Sequence, residues 1–384
     1  RPARRKSPPS RVPHDPVTEQ RRLGRSVWRW IVRIVVGGAA GLVVALLLGV
    51  LLSAEVRFVL RAAYEEARIL LARRSIAELL DDPELGEDRR TMFRLVLDAR
   101  DFAANSLGLA AGDTYTTFAE VGRDTLVLVV TGARRDTLAP FLWRYPIVGA
   151  VPYKGFFDFE AARATATRLE RRGYDTYLRP SAAFSTLGWF NDPLPSTALR
   201  RGPVSLVELV IHEIAHNTLY VPDATPFDES FALFVGYRGA EAFFLGQGDT
   251  ARAERVRAIW RDQKRLSGFY ADLVTELEAL YAAHLPAEPR ERERQALFDR
   301  AQERLMGPLA EQLEAFDAAS VAERPLNNAS LLAFRIYLTD VDLFDRLLAE
   351  HGGDLRATVG AIRAAIDARG DRDPFEVLAT MVPH

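Results

Sequence analysis

Two of the six histidines in this chain lie four residues apart, in the stretch His212-Glu213-Ile214-Ala215-His216. Residues four apart lie on one face of a helix, so both imidazoles can point at a single metal ion. Glu213 lies one position round the helix, within reach of a proton on a water molecule at that ion. The spacing predicts a zinc site with its own base. The alternative is a pair of core histidines satisfied by hydrogen bonds.

A third protein ligand is expected, because catalytic zinc usually keeps three protein ligands and one water. Glu229 is the best candidate, since it lies in the first turn of a second predicted helix, after Pro222 and Asp223 have turned the chain back. Asp223 and Asp228 compete for this role, but the first suits a turn and the second a helix cap. The metzincin pattern is excluded, because it needs glycine and histidine where this chain has Leu219 and Pro222.

Two predicted helices must position these side chains. Ser205 and Glu208 have the spacing of a capping box, which predicts a helix over about 205–220. Its positions are apolar nearly all round, so the helix should be buried. Thr225 is a suitable N-cap for the second helix. Together the two predicted zinc helices span 205–245.

Several segments resemble a family of bacterial zinc-dependent aminopeptidases, over roughly 64–348. The resemblance rests on His212-Glu213-Ile214-Ala215-His216 with Leu219-Tyr220-Val221, on Phe227-Asp228-Glu229-Ser230-Phe231-Ala232, on 183–194, on Gly155-Phe156-Phe157-Asp158 and on Asn327-Asn328-Ala329. It implies a gluzincin-type metallopeptidase with a zincin-like fold and a peptide substrate. It also implies that His212, His216 and Glu229 bind Zn²⁺ and that Glu213 is the base. The chain departs from the family in lacking the lipoprotein cysteine with which members often begin.

A peptidase of this type needs a neutral donor for the oxyanion. Tyr337 is the first candidate, because it follows the Asn327-Asn328 signature. Tyr220 and Tyr237 compete with it. Each of the three could instead be an aromatic residue whose hydroxyl is satisfied within the fold.

Two pairs of residues are predicted to bind the substrate. Trp189 and Phe190 lie in a weakly alternating segment, 184–190, which we expect to be an edge strand that pairs with an extended peptide. The alternative is a core strand with buried aromatic side chains. Asn327 and Asn328 are expected to contact the substrate main chain, although asparagine pairs also cap helices.

The N-terminal region suggests a membrane anchor. Residues 34–52 are uncharged and mostly apolar, and as a helix they would be about 28 Å long, enough to cross a bilayer core. Basic residues predominate before this run, so the positive-inside rule keeps the N-terminus in the cytoplasm. The sequence therefore predicts a single-pass protein of the bacterial inner membrane. It would have a disordered basic tail (1–27), a transmembrane helix (28–53) and a periplasmic metallopeptidase domain (54–384).

The amino-acid composition also limits the kinds of ligand and partner that are expected. The absence of cysteine excludes thiolate ligands, a thiol nucleophile and disulfides, and the net charge of -2 gives no strong electrostatic preference. Membrane topology already accounts for the basic tail, so no nucleic-acid partner is expected. The predicted partners are a peptide substrate and the membrane. A signal peptide cleaved near Ser53-Ala54 is the alternative to a permanent anchor.

The remaining pattern predicts a mainly helical α+β domain. Helices are expected over 55–80, 89–106 and 159–172, and strands over 126–130, 147–151 and 174–178. Beyond Phe231 the chain is predicted to be helical. The segment 250–317 is highly charged with apolar side chains at helical spacing, typical of a solvated helical hairpin. A coiled-coil interface with a protein partner is the alternative use of this hairpin.

Two functions from different classes follow from these features. The first is a membrane-anchored zinc metallopeptidase, of the aminopeptidase type that the resemblance implies. The second is a non-catalytic envelope scaffold that keeps the zinc fold and uses the hairpin for binding. Glu213 argues for the first, since a scaffold needs the ligands but no base.

Overall fold

The structure, a computed structural model, describes residues 30, 33–38, 41, 44, 48, 51–145, 149–181 and 193–382. From Tyr64 onward these residues form one compact unit, which holds all the elements discussed below from β1 on. The predicted disordered tail (1–27) and the predicted edge strand (184–190) lie outside the described residues.

The prediction of a transmembrane helix over 28–53 is wrong. The predicted location, as a single-pass protein of the inner membrane, is therefore wrong as well. Among the residues that the structure describes, no helix is both long enough and apolar enough to cross a bilayer. The first complete helix, α1 (Ala54–Leu71), carries charged side chains along its whole length, including Glu55, Arg61, Glu65 and Arg68. Such charges are costly at the centre of a bilayer. Helix α1 also ends nine residues before the predicted end at residue 80.

A small sheet and two helices lead into the site. After β1 (Arg74–Ser75) come α2 (Ile76–Leu80), α3 (Glu87–Asn105) and β2 (Thr117–Ala119). Helix α3 buries one face, with Phe93, Val96, Ala99 and Ala103 at helical spacing. Strand β2 pairs antiparallel with β1 and parallel with β8 (Leu194–Pro195). This sheet therefore joins two segments of sequence that flank the larger sheet.

The larger sheet has three antiparallel strands with β3 (Val127–Arg134) in the middle. Strands β6 (Tyr153–Phe156) and β7 (Tyr174–Ser181) flank it, and β4 (Trp143–Tyr145) with β5 (Gly149–Val151) forms a separate hairpin. Helix α4 (Phe159–Glu170) packs against β3 and β7. Asp158 caps α4 by accepting two backbone N–H groups. The strands predicted at 126–130 and 174–178 and the helix predicted at 159–172 are thereby confirmed.

Two long helices occupy the centre of the domain. They are α6 (Gly202–Thr218), which follows the short α5 (Ser196–Leu199), and α7 (Thr225–Gly246). Their side chains are the largest contribution to one continuous hydrophobic core, which also takes in α3 and the C-terminal helices. Gly239 of α7 lies so close to Ile211 of α6 that an added Cβ would be 2.9 Å from its Cγ2 atom. The glycine therefore allows the two helix backbones to approach.

The predicted helical hairpin is present, but it is more than a solvated arm. Helices α8 (Thr250–Ala282) and α9 (Ala287–Arg304) are followed by a π-helical turn (Leu305–Leu309) and a 3₁₀ turn (Ala310–Gln312). Apolar side chains of both helices form a second core. On α9, Arg294 is buried and forms an ion pair with Asp175 of β7. The hairpin is thus fixed to the sheet.

Five short helices complete the chain. They are α10 (Ala318–Ala322), α11 (Asn328–Arg335), α12 (Val341–Glu350), α13 (Leu355–Asp367) and α14 (Pro374–Ala379). Helix α11 packs on β3 and β7, where Ala329 and Ala333 meet Ala133 and Tyr177. This leaves the end of α11 beside the N-terminus of α7. The expected class, a mainly helical α+β domain, is confirmed.

Candidate metal centre

Helix α6 carries His212, Glu213 and His216, but it begins earlier than predicted. Its first residue is Gly202, which has a positive φ of 78°, and Pro203 lies in the first turn. Proline suits this position because its missing N–H would have no helical partner. Ser205 therefore lies inside the helix, and the predicted capping box with Glu208 is wrong. The side chain of Glu208 is buried instead.

Helix α7 returns directly beside α6 and places Glu229 in its first turn. The connection turns at Asp223, whose φ is 63°. Ala224, rather than Thr225, is the N-cap residue. Asp228 is buried, and its carboxylate accepts a hydrogen bond of 2.8 Å from the backbone N–H of Val221. Asp228 thus holds the connection in place, and neither it nor Asp223 belongs to the metal-ligating group.

His212, His216 and Glu229 bring three ligand atoms to one point. The two Nε2 atoms are 3.2 Å apart. Oε2 of Glu229 lies 3.5 Å from Nε2 of His212 and 3.6 Å from Nε2 of His216. Ligand atoms around a tetrahedral zinc ion with bonds of 2.0–2.1 Å are separated by about 3.3 Å. The three distances therefore fit such an ion. Among the described residues, this is the one group of three with metal-ligand geometry.

Protons compete with a metal ion for this site. Burial alone would lower the pKa of His212, but Glu229 and the nearby charges of Glu213 and Glu208 raise it to about 9. Burial would raise the pKa of Glu229, but its interactions with the two imidazoles bring it well below the ordinary range. The carboxylate is therefore ionised and available as a ligand at neutral pH, while His212 must lose its proton when a metal ion binds.

Glu208 lies on the side of the His212 ring that faces away from Glu229. Its Oε1 atom is 3.8 Å from Nδ1 of His212, the ring nitrogen that faces away from Glu229. This Nδ1 atom is buried and has no hydrogen-bond partner in the part of the chain that the structure describes. Gly236 of α7 covers the pair, and an added Cβ would be 3.2 Å from both Oε1 of Glu208 and Cβ of His212. A side chain at position 236 would therefore crowd both Glu208 and His212.

Glu213 differs from its neighbours on α6 in having no hydrogen-bond or ion-pair partner among the described residues. It is partly exposed, next to His212 on α6. Its carboxylate forms no hydrogen bond or ion pair within the described ranges of the chain. Its charge nevertheless raises the pKa of His212, which indicates that the two groups are close. The carboxylate is thus free to take a proton at the site.

Residues 57–373 match the family described as "Putative aminopeptidase". The match covers most of the chain. The chain belongs to this family. No curated protein matches it, and no solved structure does. Membership in the aminopeptidase family suggests a peptidase, but the family's description names no metal. The ligand geometry of His212, His216 and Glu229 is what indicates a metal ion.

Tyr337 is placed beside the centre of this aminopeptidase-family domain, just beyond α11. Burial raises the pKa of its hydroxyl, and the negative charge of Glu229 adds to that effect. The hydroxyl oxygen accepts a hydrogen bond of 3.0 Å from Nη2 of Arg179. Among the described residues, no group accepts the proton of this hydroxyl. The competing Tyr220 is largely exposed, and Tyr237 lies deep beside Gln263, which donates to it at 3.4 Å.

Arg179 and Tyr153 also lie at this centre, although sequence analysis did not single them out. Burial raises the pKa of Tyr153 and the charge of Glu229 raises it further. Burial would lower the pKa of Arg179, but Tyr337 and Glu229 raise it. Both residues come from strands of the larger sheet. The alternation of side chains along a strand is the sequence signal that could have identified them. Side chains two residues apart, as along β7, lie on the same face of the sheet.

The predicted substrate residues have different outcomes. Trp189 and Phe190 lie outside the described residues. Asn327 caps α11 in a capping box with Ser330. Asn328 is fully buried, accepts a hydrogen bond from the hydroxyl of Tyr281 and donates one to the carbonyl of Arg134. These contacts favour the alternative in which the asparagine pair organises the start of a helix.

A cavity of about 740 Å³ lies beside the connection between α6 and α7. Its wall includes Val221 and Phe227 from this connection, Ile336 after α11, and Phe375 at the start of α14. None of the three metal-ligating residues lines it. The cavity is large enough for an amino-acid side chain or a small ligand. It shares its wall with the segment that holds Glu229 in place.

Proposed function

We propose that this protein is a zinc-dependent peptidase that hydrolyses peptide bonds with an activated water molecule and acts as an aminopeptidase. The observation that carries the proposal is the convergence of His212, His216 and Glu229 on one point at the spacing of tetrahedral ligands. Family membership supports the peptidase class and the choice of amino-terminal substrates. The zinc chemistry is inferred from the side chains alone.

The chemistry divides between the ion and the chain. When bound, a zinc ion lowers the pKa of water to about 7 and polarises a carbonyl group. His212, His216 and Glu229 would hold it. Glu213 takes the proton from water and passes it to the leaving amine, which a carboxylate without a fixed partner is free to do. Its position next to His212 on α6 supports this role.

Tyr337 is the proposed donor to the oxyanion. Its oxygen is engaged by Arg179, so the hydroxyl proton is directed elsewhere. Since burial raises its pKa, the hydroxyl stays protonated at neutral pH and can donate. A donor of this kind contributes about 10²–10³ in kcat. Burial and the charge of Glu229 also raise the pKa of Tyr153, so Tyr153 is the alternative donor to the oxyanion.

The test combines metal analysis with activity. We expect one zinc ion per chain in the wild-type protein, loss of bound zinc in His212→Ala, and retention of zinc with loss of peptide cleavage in Glu213→Gln. Glu278→Gln, which removes an exposed carboxylate on α8, is the matched control and should keep both zinc and activity. Purified proteins are compared by elemental analysis and by mass spectrometry of cleaved peptide libraries.

Two outcomes contradict the proposal in different ways. A protein that binds no zinc at micromolar concentration would contradict the metal site. A protein that binds one zinc ion but cleaves none of the peptides, and whose Glu213→Gln variant behaves identically, would instead support the scaffold alternative. Cleavage only inside long peptides would retain the zinc chemistry and remove the aminopeptidase specificity.

A further inference from the structure

Arg179 is a partly buried cation that forms no ion pair with any residue that the structure describes. Within the described residues, its guanidinium donates one hydrogen bond, to the hydroxyl of Tyr337, and lies 5.2 Å from the centroid of that ring. Other arginines in comparable surroundings are paired with acids: Arg238 contacts Asp345 at 2.7 Å, and Arg294 contacts Asp175. A buried charge normally needs such a partner. Arg179 is therefore poised to receive an anion.

Strand pairing places Arg179 on the face of the sheet that packs on helix α11. In the antiparallel ladder, Val129 of β3 lies opposite both Arg179 of β7 and Gly155 of β6. Side chains alternate along a strand, so Arg179 shares its face with Tyr177, two residues before it. Tyr177 packs on α11. Arg179 continues this face to Tyr337, beyond the end of α11.

The negative charge that acts on Arg179 is that of Glu229, one of the three proposed metal ligands. Glu229 contributes to raising the pKa of Arg179, of Tyr337 and of Tyr153 alike. When Glu229 binds a divalent cation, its charge is compensated by that cation. The guanidinium would then lack a neutralising partner of its own among the described residues. An incoming substrate would have to supply one.

Resting on the proposed function, we infer that Arg179 binds the C-terminal carboxylate of a short peptide. The planar guanidinium presents paired N–H donors that match the two oxygens of a carboxylate, whereas a neutral peptide carbonyl offers a single oxygen and no charge. Arg179 and the metal ligands belong to one compact unit, so the carboxylate and the scissile bond are held at a fixed separation. The preferred substrates are therefore dipeptides or tripeptides with a free carboxyl end.

The first test compares free acids with amides. Peptides with an N-terminal leucine and one to five following alanines are offered to the zinc-loaded enzyme, each as the C-terminal acid and as the C-terminal amide. We expect kcat/KM to be highest for one of the two shortest acids. Its amide should be cleaved about 10- to 100-fold less efficiently, the range expected for a charge-assisted hydrogen bond.

Variants of Arg179 separate binding from positioning. In Arg179→Gln the acid-to-amide ratio should fall to about 1, mainly through a higher KM for the acid, while any loss of kcat that arises through Tyr337 should be shared equally by acid and amide. Arg179→Lys keeps the charge but loses the paired donors, so its ratio should be intermediate. Arg363→Gln, which removes an exposed charge on α13, is the matched control and should keep the wild-type ratio. If Arg179 served only to orient Tyr337, Arg179→Gln would slow acid and amide equally and the ratio would stay high.

A binding measurement makes the test independent of turnover. Calorimetry on zinc-loaded Glu213→Gln should show that the best dipeptide or tripeptide acid binds at least about 10-fold more tightly than its amide, and that adding Arg179→Gln removes the difference. Equal binding of acid and amide would overturn the inference even if the enzyme cleaved neither. Amides with an acidic side chain that bind as well as the acids would assign Arg179 to that side chain instead. Failure of the proposed function looks different, because it appears as no zinc or as cleavage unaffected by Glu213→Gln.

Discussion

The carboxylate of Glu208 lies 3.8 Å from Nδ1 of His212, one helical turn away on α6, and both side chains are buried. Nδ1 has no other partner among the residues that the structure describes. The Nε2 atom of the same ring faces Glu229. A histidine that binds a metal through one nitrogen usually donates the other N–H to a carboxylate or carbonyl, which fixes the ring. Glu208 has the position of such a carboxylate beside His212.

We therefore expect Glu208→Ala to lower zinc affinity by about 10- to 100-fold, because the ring of His212 loses the group that orients it. Competition with a chromogenic chelator measures the affinity directly. Glu278→Ala, on the exposed face of α8, should leave it unchanged. An unchanged affinity in Glu208→Ala would show that packing alone holds the ring.

Gly236 provides a second test of the same arrangement. An added Cβ would lie 3.1 Å from the backbone oxygen of Glu208 and 3.2 Å from Cβ of His212. Gly236→Ala should therefore push α7 away from α6 and weaken zinc binding several-fold. The helical Gly268 has nothing within 4 Å of its Cβ position. Gly268→Ala should show only the helix-propensity gain, about 1 kcal/mol of added stability, with zinc affinity unchanged.

Removal of the metal should destabilise the whole domain, because the ligands join α6 to α7 in its main core. Zinc at about 1,000 times its dissociation constant adds about 4 kcal/mol to the free energy of unfolding. Thermal unfolding with and without a chelator measures this difference. His212→Ala should unfold at the same temperature under both conditions. A chelator effect of equal size in that variant would place the stabilising metal elsewhere.

The local part of the candidate site could be predicted from sequence, because it depends on short spacings. His212 and His216 are one helical turn apart, and Glu229 follows after a short connection, so these three residues needed no knowledge of the fold. The limits of the helices were less well predicted. Ser205 and Glu208 have the spacing of a capping box, but Gly202 and Pro203 begin the helix earlier, and the carboxylate of Glu208 lies 3.8 Å from Nδ1 of His212 instead.

The distant part of the site could not be predicted in the same way. Arg179 reaches Tyr337 only because β7 pairs with β3 in a particular register and α11 packs across both strands. Residues 158 positions apart are brought together by this packing. The prediction of a bilayer-crossing helix from the apolar run at 34–52 is wrong, since the described residues contain no helix that could cross a bilayer.

Asp345 should stabilise the domain in a pH-dependent way. It accepts hydrogen bonds from Arg238 at 2.7 Å and from the indole of Trp260 at 2.9 Å, and it pairs with Lys264. Burial would raise its pKa, but Arg238, Lys264 and Trp260 lower it. Because the folded-state pKa is below the unfolded value of about 3.9, the stabilisation is present above that value and is lost as the pH falls through the folded-state pKa.

Asp345→Asn should lower the free energy of unfolding by about 1.5–3 kcal/mol at pH 7. The difference from wild type, measured by urea unfolding, should shrink below about pH 4 and would contradict this account if it grew.

Tyr337→Phe should lower kcat by about 10²–10³ with little change in KM, because the hydroxyl is proposed to donate to the oxyanion only in the transition state. Zinc content and unfolding temperature should stay near the wild-type values, since the hydroxyl makes one hydrogen bond, to Arg179. Tyr220→Phe, at a largely exposed position, is the comparison and should change kcat only a few-fold. Steady-state kinetics on the same peptide measure all three proteins. If Tyr153→Phe produced the large loss and Tyr337→Phe did not, the donor would be the tyrosine on β6, and the hydroxyl of Tyr337 would serve only to hold Arg179.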